Sequence, residues 1–244
     1  MIGRVLLAAL LAGIAAGLVL GMIQHVRITP LILQAEVYEE KDDAAKAAAP
    51  ATQATGACVE NMPGMTMCGH GHEWQPQHGL ERTLYTTAAS MLAGAGYAAA
   101  LAGLSLMLGV PITRRNGLIW GLCGFLAVTV ATGFGLPPEI PGMPAAELLP
   151  RQIWWGSTVV ATGIALYLIA CRRAPWAIAL ALALLILPHI IGAPQPPDTP
   201  TSVPAVLAAE FAASTVAAAA VFWSLIGLFV GIAMDRAAPE LYAA

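Results

Sequence analysis

Six apolar runs without Asp, Glu, Lys or Arg constrain this chain more than any other feature of its sequence. A helix of about 20 apolar residues crosses a hydrocarbon core of about 30 Å, because each residue adds about 1.5 Å. Charged residues make up 10% of the chain, against about 25% in soluble domains. The sequence therefore predicts an all-α integral membrane protein, a single membrane domain over residues 1–244, with six transmembrane helices. The runs are Val5–Ile23, Leu84–Leu108, Gly117–Leu136, Ile153–Ala170, Pro175–Ile191 and Phe211–Met234.

Two of these runs allow a different interpretation. Pro188 and His189 interrupt the end of the fifth run, so five spans with a re-entrant fifth segment remain the alternative. The first run is long for the apolar region of a signal peptide and lacks a clean cleavage motif. We therefore expect it to be a retained helix.

The arginines predict the orientation, because basic residues concentrate in cytoplasmic segments. Six spans place the arginines at the chain ends and in the two short connections on one side, so both termini are predicted to be cytoplasmic. Five spans would break this alternation. The outer side then receives a long loop over residues 26–83 and two Pro-rich loops over residues 137–151 and 192–205. These arginines are Arg4, Arg114, Arg115, Arg172, Arg173 and Arg236.

The long outer loop divides into three parts. Thr29 followed by Pro30 is typical of a helix N-cap and first turn, and predicts a short interfacial helix from Pro30 to about Lys41. Residues 42–57 are Ala-rich and predict a mobile linker. The stretch "MPGMTMCGHGH" over residues 62–72 then concentrates side chains that bind metals.

This Met/Cys/His cluster predicts a metal-gathering loop. Imidazole suits cobalt, nickel, copper and zinc, whereas thioether and thiolate favour Cu(I). A disordered loop with incidental His and Met is the alternative, and a Cys58–Cys68 disulfide would remove thiolate from the site. The candidate ligands are Met65, Met67, Cys68, His70, His72 and His78.

Four further residues are candidates for an ion path, because polar groups near membrane depth are costly. His189 follows Pro188, which can free backbone carbonyls and open a polar pocket. Glu210 begins the sixth run, where it could equally stabilise a helix start. Glu139 and Asp198 could form an acidic mouth, although the Pro-rich loops could also serve rigidity alone.

Two repeated patterns concern packing. Glycines spaced four apart at Gly13/Gly17/Gly21, Gly117/Gly121 and Gly227/Gly231 predict close helix approach without requiring dimerisation, so a homo-oligomer is left open. The second and third runs also resemble the fourth and fifth. Each pair turns at two arginines and exits through Gly, Pro-Pro, an acid and Pro. This pattern favours a tandem hairpin repeat.

Four segments resemble one known family. They are "TPLILQAEVYE" (29–39), "LERTLYT" (80–86), "GLPPEIPGMPAAELLPRQIWW" (135–155) and "LPHIIGAPQPP" (187–197). They resemble CbtA, the predicted cobalt transporter subunit family. The resemblance implies a multi-spanning bacterial inner-membrane protein linked to cobalamin biosynthesis, with a small single-span His-rich companion. Relatives are usually described with five spans and carry a His-rich stretch before "ERTLYT", where this chain adds Met and Cys.

The favoured function is transition-metal transport, with cobalt uptake first. Copper or broad divalent metal handling is one alternative, and a membrane metal-binding scaffold that transports nothing is another. A net charge of −3 argues against nucleic acid as a partner, whereas membrane lipid surrounds the chain. No nucleotide-binding or hydrolase motif occurs, so we expect no enzyme activity. We expect no permanently bound cofactor, since the metal ion is the cargo.

Overall fold

The computed structural model describes residues 2–48, 76–77, 79–172 and 174–237. Within these ranges the chain forms helices and connecting segments without strands, which confirms the all-helical class. Four helical segments are long and apolar enough to cross a membrane, and two apolar helices are shorter. The chain is thus a multi-pass membrane protein, while six crossings and the orientation stay predictions. The four are Gly3–Ala45, Leu80–Leu108, Leu148–Arg172 and Ala205–Ala237, and the shorter two are Gly117–Gly133 and Pro175–Ile191.

Eight α-helices and three π-helical turns build these segments within the described residues. The π-helical turns join α1 to α2, join α4 to α5, and extend α6; they are Gln24–Ile28, Leu126–Val130 and Leu168–Arg172. The helices are α1 (Ile2–Ile23), α2 (Thr29–Ala48), α3 (Leu80–Leu108), α4 (Gly117–Phe125), α5 (Ala131–Gly133), α6 (Leu148–Tyr167), α7 (Pro175–Ile191) and α8 (Ala205–Ala237).

The interfacial helix predicted to begin at Pro30 is instead continuous with the first span. Thr29 does not cap a helix start, because its backbone is helical and its N–H bonds the carbonyl of Gln24 five residues earlier. Proline normally clashes with the carbonyl four residues before it, and the wider π-helical turn lets the helix pass Pro30. The helix also runs to Ala48, so residues 42–48 of the predicted linker are helical. Residues 49–57 lie outside the described residues.

Together α1, the π-helical turn and α2 measure about 70 Å along the axis, which is more than twice a hydrocarbon core. One end of this long helix therefore extends well beyond the apolar layer. Because α1 is apolar and α2 carries charged residues, α2 is the end that projects.

Helix α8 occupies the centre of the bundle and packs against both α1 and α4, while α1 also packs along α3. The crossings are made at glycines. A Cβ atom at Gly13 would overlap the carbonyl oxygen of Gly94, and one at Gly117 would overlap the carbonyl oxygen of Gly227. The predicted close approach therefore occurs within a single chain. The same backbone overlap would arise at Gly17, Gly121 and Gly231.

Two buried clusters hold the bundle together, and they extend toward its opposite ends. The larger includes Val5 of α1, Ile112 of the α3–α4 connection and Met234 of α8. The other joins Ile28 and Leu31 near the start of α2 to Ile140, Val203 and Leu207. The start of α1, the α3–α4 connection and the end of α8 therefore meet at the first end of the bundle. A hydrogen bond of 3.1 Å from the Arg114 N–H to Asp235 Oδ2 closes the first end.

The two hairpins of the predicted repeat resemble each other in sequence, but their helices pack differently. Helices α6 and α7 pack against each other through Ala165, Leu168, Ala177 and Ala181. Helices α3 and α4 instead pack along different partners, α3 on α1 and α4 on α8. The two hairpins therefore do not pack alike, because the central α8 takes the place beside α4.

Candidate functional site

The predicted metal ligands fall into two groups. The outer cluster and the Cys58–Cys68 pairing lie outside the described residues: Met65, Met67, Cys68, His70, His72 and His78. The other four candidates are described. Among the described residues no group of three or more His, Cys, Asp or Glu could hold a metal ion. His189, Glu210, Glu139 and Asp198 are therefore separate positions and do not form one ligand set.

His189 lies in the last turn of α7, between two aromatic rings. Its imidazole meets Phe134 and Trp154 edge to face, with ring centroids 6.1 Å and 5.9 Å away. The Trp154 indole N–H donates to the carbonyl of Pro188 at 3.1 Å, and the Gly192 N–H donates to the same oxygen. His189 itself is exposed. His189 therefore has two aromatic neighbours and lies beside a hydrogen-bonded Pro188 carbonyl, and its place on an ion path stays a prediction.

The residues of the predicted acidic mouth differ in their surroundings. Glu139 Oε2 lies 3.0 Å from Arg151 Nη2, so the first turn of α6 balances the negative charge of the loop residue. Asp198 is exposed to solvent in the second Pro-rich loop. The two loops are connected through α2 and through the hydrogen bond of 2.8 Å from the Thr201 hydroxyl to the Gly142 carbonyl.

Glu210 lies inside α8, since the helix begins at Ala205 rather than at the sixth apolar run. A carboxylate interacts most favourably with the helix dipole in the first turn of a helix. Glu210 lies beyond that turn. The exposed carboxylate lines an open cavity of about 460 Å³ between α2 and α8. Lys41 and Tyr38 line the same cavity, and the Lys41 ammonium lies 5.4 Å from the Tyr38 ring centroid.

A bidentate ion pair between Glu36 and Arg82 joins α2 to α3. The Arg82 nitrogens lie 2.5 Å and 3.1 Å from the two carboxylate oxygens, and each side chain is 24% exposed. Both residues fall in the predicted outer loop over residues 26–83, and the sequence does not predict that they pair. One sequence feature could have drawn attention to Glu36 and Arg82: each lies in a segment that resembles the family.

Beside this ion pair, a cavity of about 120 Å³ lies between the α1–α2 helix and α3. His25 of the π-helical turn reaches it, and its Nδ1 lies 3.2 Å from the Thr83 hydroxyl. One residue earlier, Gln24 Oε1 accepts a hydrogen bond of 2.6 Å from Ser90 on α3. The π-helical turn therefore directs consecutive polar side chains toward α3. The cavity walls include Gly21, His25, Thr29, Arg82, Thr83 and Thr86.

Comparison with known families matches residues 2–235 to one described as "Probable cobalt transporter subunit (CbtA)". This match covers α1 to α7 and all but the last two residues of α8, and it confirms the family suggested by the four segments. No curated protein and no solved structure matches the chain.

Proposed function

The chain belongs to the CbtA family, and on that premise we propose that it carries Co²⁺ into the bacterial cell across the inner membrane. The family match over residues 2–235 is the observation that carries this proposal. The apolar helices add physical support, because they provide the spanning structure that an ion pathway needs. The cobalt would supply cobalamin biosynthesis, as the family resemblance implies.

The family description names a subunit, which implies a partner. We propose the small single-span companion with a His-rich end that the resemblance suggested. No nucleotide-binding motif occurs in the sequence. The membrane potential supplies about 2.3 kcal/mol per charge per 100 mV, and therefore about twice that for a divalent cation.

In the proposed route, the loop containing His70, His72 and His78 collects the ion, with Cys68, Met65 and Met67 as additional ligands. Glu139 and Asp198 stand at the outer mouth. Glu139 keeps its salt bridge to Arg151, so the exposed Asp198 supplies more of the attractive field there. His189 and Glu210 then bind the ion in turn as it moves inward.

Cellular cobalt content tests the proposal. Cells without their own cobalt uptake receive this chain with its companion, the companion alone, or neither. Metal content is measured by mass spectrometry after growth in trace Co²⁺. We expect cobalt accumulation only when both proteins are present. Absence of accumulation with both proteins would overturn the transport proposal.

The site assignment is tested in the same cells with a combined variant, His70→Ala, His72→Ala and His189→Ala. We expect accumulation to fall toward the level of cells without the chain, whereas Glu40→Gln, an exposed carboxylate on α2, serves as the matched control. Unchanged accumulation in the combined variant would overturn these ligands while leaving transport intact.

Copper remains a second candidate because Met62, Met65, Met67 and Cys68 are donors that favour Cu(I). The same cultures therefore receive trace copper in parallel. Accumulation of copper in place of cobalt would show that copper is the transported ion and would leave the transport function standing.

A further inference from the structure

His25 has a hydrogen-bond arrangement that the proposed route does not use. The Thr83 hydroxyl has one hydrogen, and it donates that hydrogen to the Gly79 carbonyl at 3.0 Å. When the hydroxyl hydrogen lies on that carbonyl, Nδ1 is the donor in the contact of 3.2 Å between His25 Nδ1 and Thr83 Oγ1. In neutral imidazole this leaves a lone pair on Nε2.

This arrangement is the one that orients histidine ligands in metal sites. A hydrogen bond from one ring nitrogen fixes the tautomer and the ring direction, and the other nitrogen is free to bind metal. In this chain Thr83 takes the part of the orienting acceptor. Because Thr83 is in turn held by Gly79 at the start of α3, the imidazole direction is tied to the helix backbone.

The charges around His25 also permit a cation. Arg82 lines the same cavity, but Glu36 balances its charge through the bidentate ion pair. Arg27 is two positions from His25, and helix residues two apart do not face each other.

The cavity also lies at the start of α3, the first helix after the outer cluster in the sequence. Gly79 is on the cavity wall and follows the cluster directly in sequence. The cavity holds about 120 Å³, enough space for an ion with some of its water ligands.

We propose that His25 Nε2 is a transfer ligand for a divalent transition-metal ion between the outer cluster and the bundle, with Thr83 as its positioning residue. This inference rests on the proposed transport function, since a site with a single imidazole is suited to brief binding along an ion pathway. One imidazole with water and hydroxyl oxygens binds weakly, and weak binding lets an ion leave as readily as it enters.

Chemical modification of the purified full-length chain tests the site directly. Diethyl pyrocarbonate reacts with unprotonated imidazole nitrogen, and peptide mass spectrometry separates His25 from the other four histidines. We expect Co²⁺ to slow modification of His25, and a chelator to restore it. The same protection should occur in a variant carrying His70→Ala, His72→Ala and His78→Ala, because the site does not depend on those residues.

Variants of the cavity threonines test the positioning role. Thr83→Val should raise the Co²⁺ concentration that gives half-protection by about 10-fold, the usual cost of removing an orienting partner. Thr83→Ser keeps the hydroxyl and should keep the protection. Thr86→Val removes another cavity hydroxyl that has no bond to His25, and serves as the matched control.

Three results would overturn the inference: modification of His25 at one rate with and without Co²⁺, protection that disappears in the triple-alanine variant, or equal protection in Thr83→Val and the unaltered chain. The measurement is independent of transport. Protection of His25 in a chain that accumulates no cobalt would overturn the proposed function alone, and accumulation with unprotected His25 would overturn this inference alone.

Discussion

At the scale of single residues, the ion pair of Glu36 and Arg82 joins α2 to α3 through two charged hydrogen bonds. Its two N–O contacts and 24% exposure distinguish it from a solvated surface pair. Bidentate geometry adds directional preference, and partial burial reduces screening by salt. The pair holds α3 at the point where the chain returns from the outer cluster.

A double-mutant cycle measures this contact. Glu36→Gln and Arg82→Gln should each lower the melting temperature of the purified protein, and the double variant should lose less than the sum. We expect a coupling free energy of about 1 kcal/mol, and a melting-temperature change of about 2–4 °C per kcal/mol for a chain of this size.

Glu40→Gln is the matched control for this cycle. Glu40 lies one turn further along the same helix and is exposed. Its substitution should leave the melting temperature nearly unchanged. Strictly additive effects of the two ion-pair substitutions would show that the contact has no measurable coupling in solution.

At the scale of helices, the crossing of α1 and α3 depends on the absence of side chains. Gly13 and Gly94 face each other so closely that the Cβ atom of either would overlap the other's carbonyl oxygen. In lipid, packing and not hydrophobicity drives helix association, so such close approach is the main source of stability.

Helix α3 contains a matched pair of glycines for testing this crossing. A Cβ atom at Gly96 would meet no neighbouring atom within 4 Å, whereas one at Gly94 would overlap α1. Gly94→Ala should therefore destabilise the bundle by about 1–3 kcal/mol through overpacking. Gly96→Ala should be neutral or stabilise by about 0.5 kcal/mol, because alanine favours helix more than glycine does.

Thermal unfolding of both variants in the same detergent would measure this difference. A fall in melting temperature of similar size for the two variants would contradict the crossing, since it would show a general effect of alanine on α3.

The π-helical turns also determine how the helices run and which side chains face a neighbouring helix. At Gln24–Ile28 the wider turn lets one continuous helix pass Pro30, and it directs Gln24 and His25 toward Ser90 and Thr83 on α3. In a regular α-helix the Pro30 ring would clash with the carbonyl four residues earlier, and the helix would end or bend.

At the scale of the whole molecule, α8 organises the bundle. Its C-terminal half packs with α1, α4 and the α3–α4 connection, and its first turns pack with α2 and the loop after α5. The start of α1, the α3–α4 connection and the end of α8 meet at one end of the bundle, and the segments containing Ile140 and Val203 pack with α2 at the other.

Thiol labelling tests the orientation and the crossing by α7. Single-cysteine chains carry native Cys171, Glu40→Cys or Gln195→Cys, with the other cysteines replaced by serine; all three positions are exposed. With six spans, a membrane-impermeant maleimide should label positions 40 and 195 in intact cells, and Cys171 only after permeabilisation. Labelling of Cys171 and position 195 from one side would show that α7 does not cross.

Much of the fold and less of the site could be predicted from the sequence. Hydropathy over about 20 residues is a local property, so the apolar runs, their helical form and the sorting of arginines were readable directly. The predicted helix start at Pro30 was wrong because Thr-Pro is a local signal, and a π-helical turn can override it. Glu139 lies in a connecting segment as predicted, its outer position stays a prediction, and its partner Arg151 was not foreseen.

The sequence by itself determined that this chain is a bundle of apolar helices and a member of the family its segments resemble. Only the tertiary structure decided which side chains meet: Glu36 with Arg82, His25 with Thr83, and Trp154 with the carbonyl of Pro188. These partners lie far apart in sequence. Their meeting depends on the rotation and crossing of each helix, which the packing of all the helices sets together and no single segment encodes.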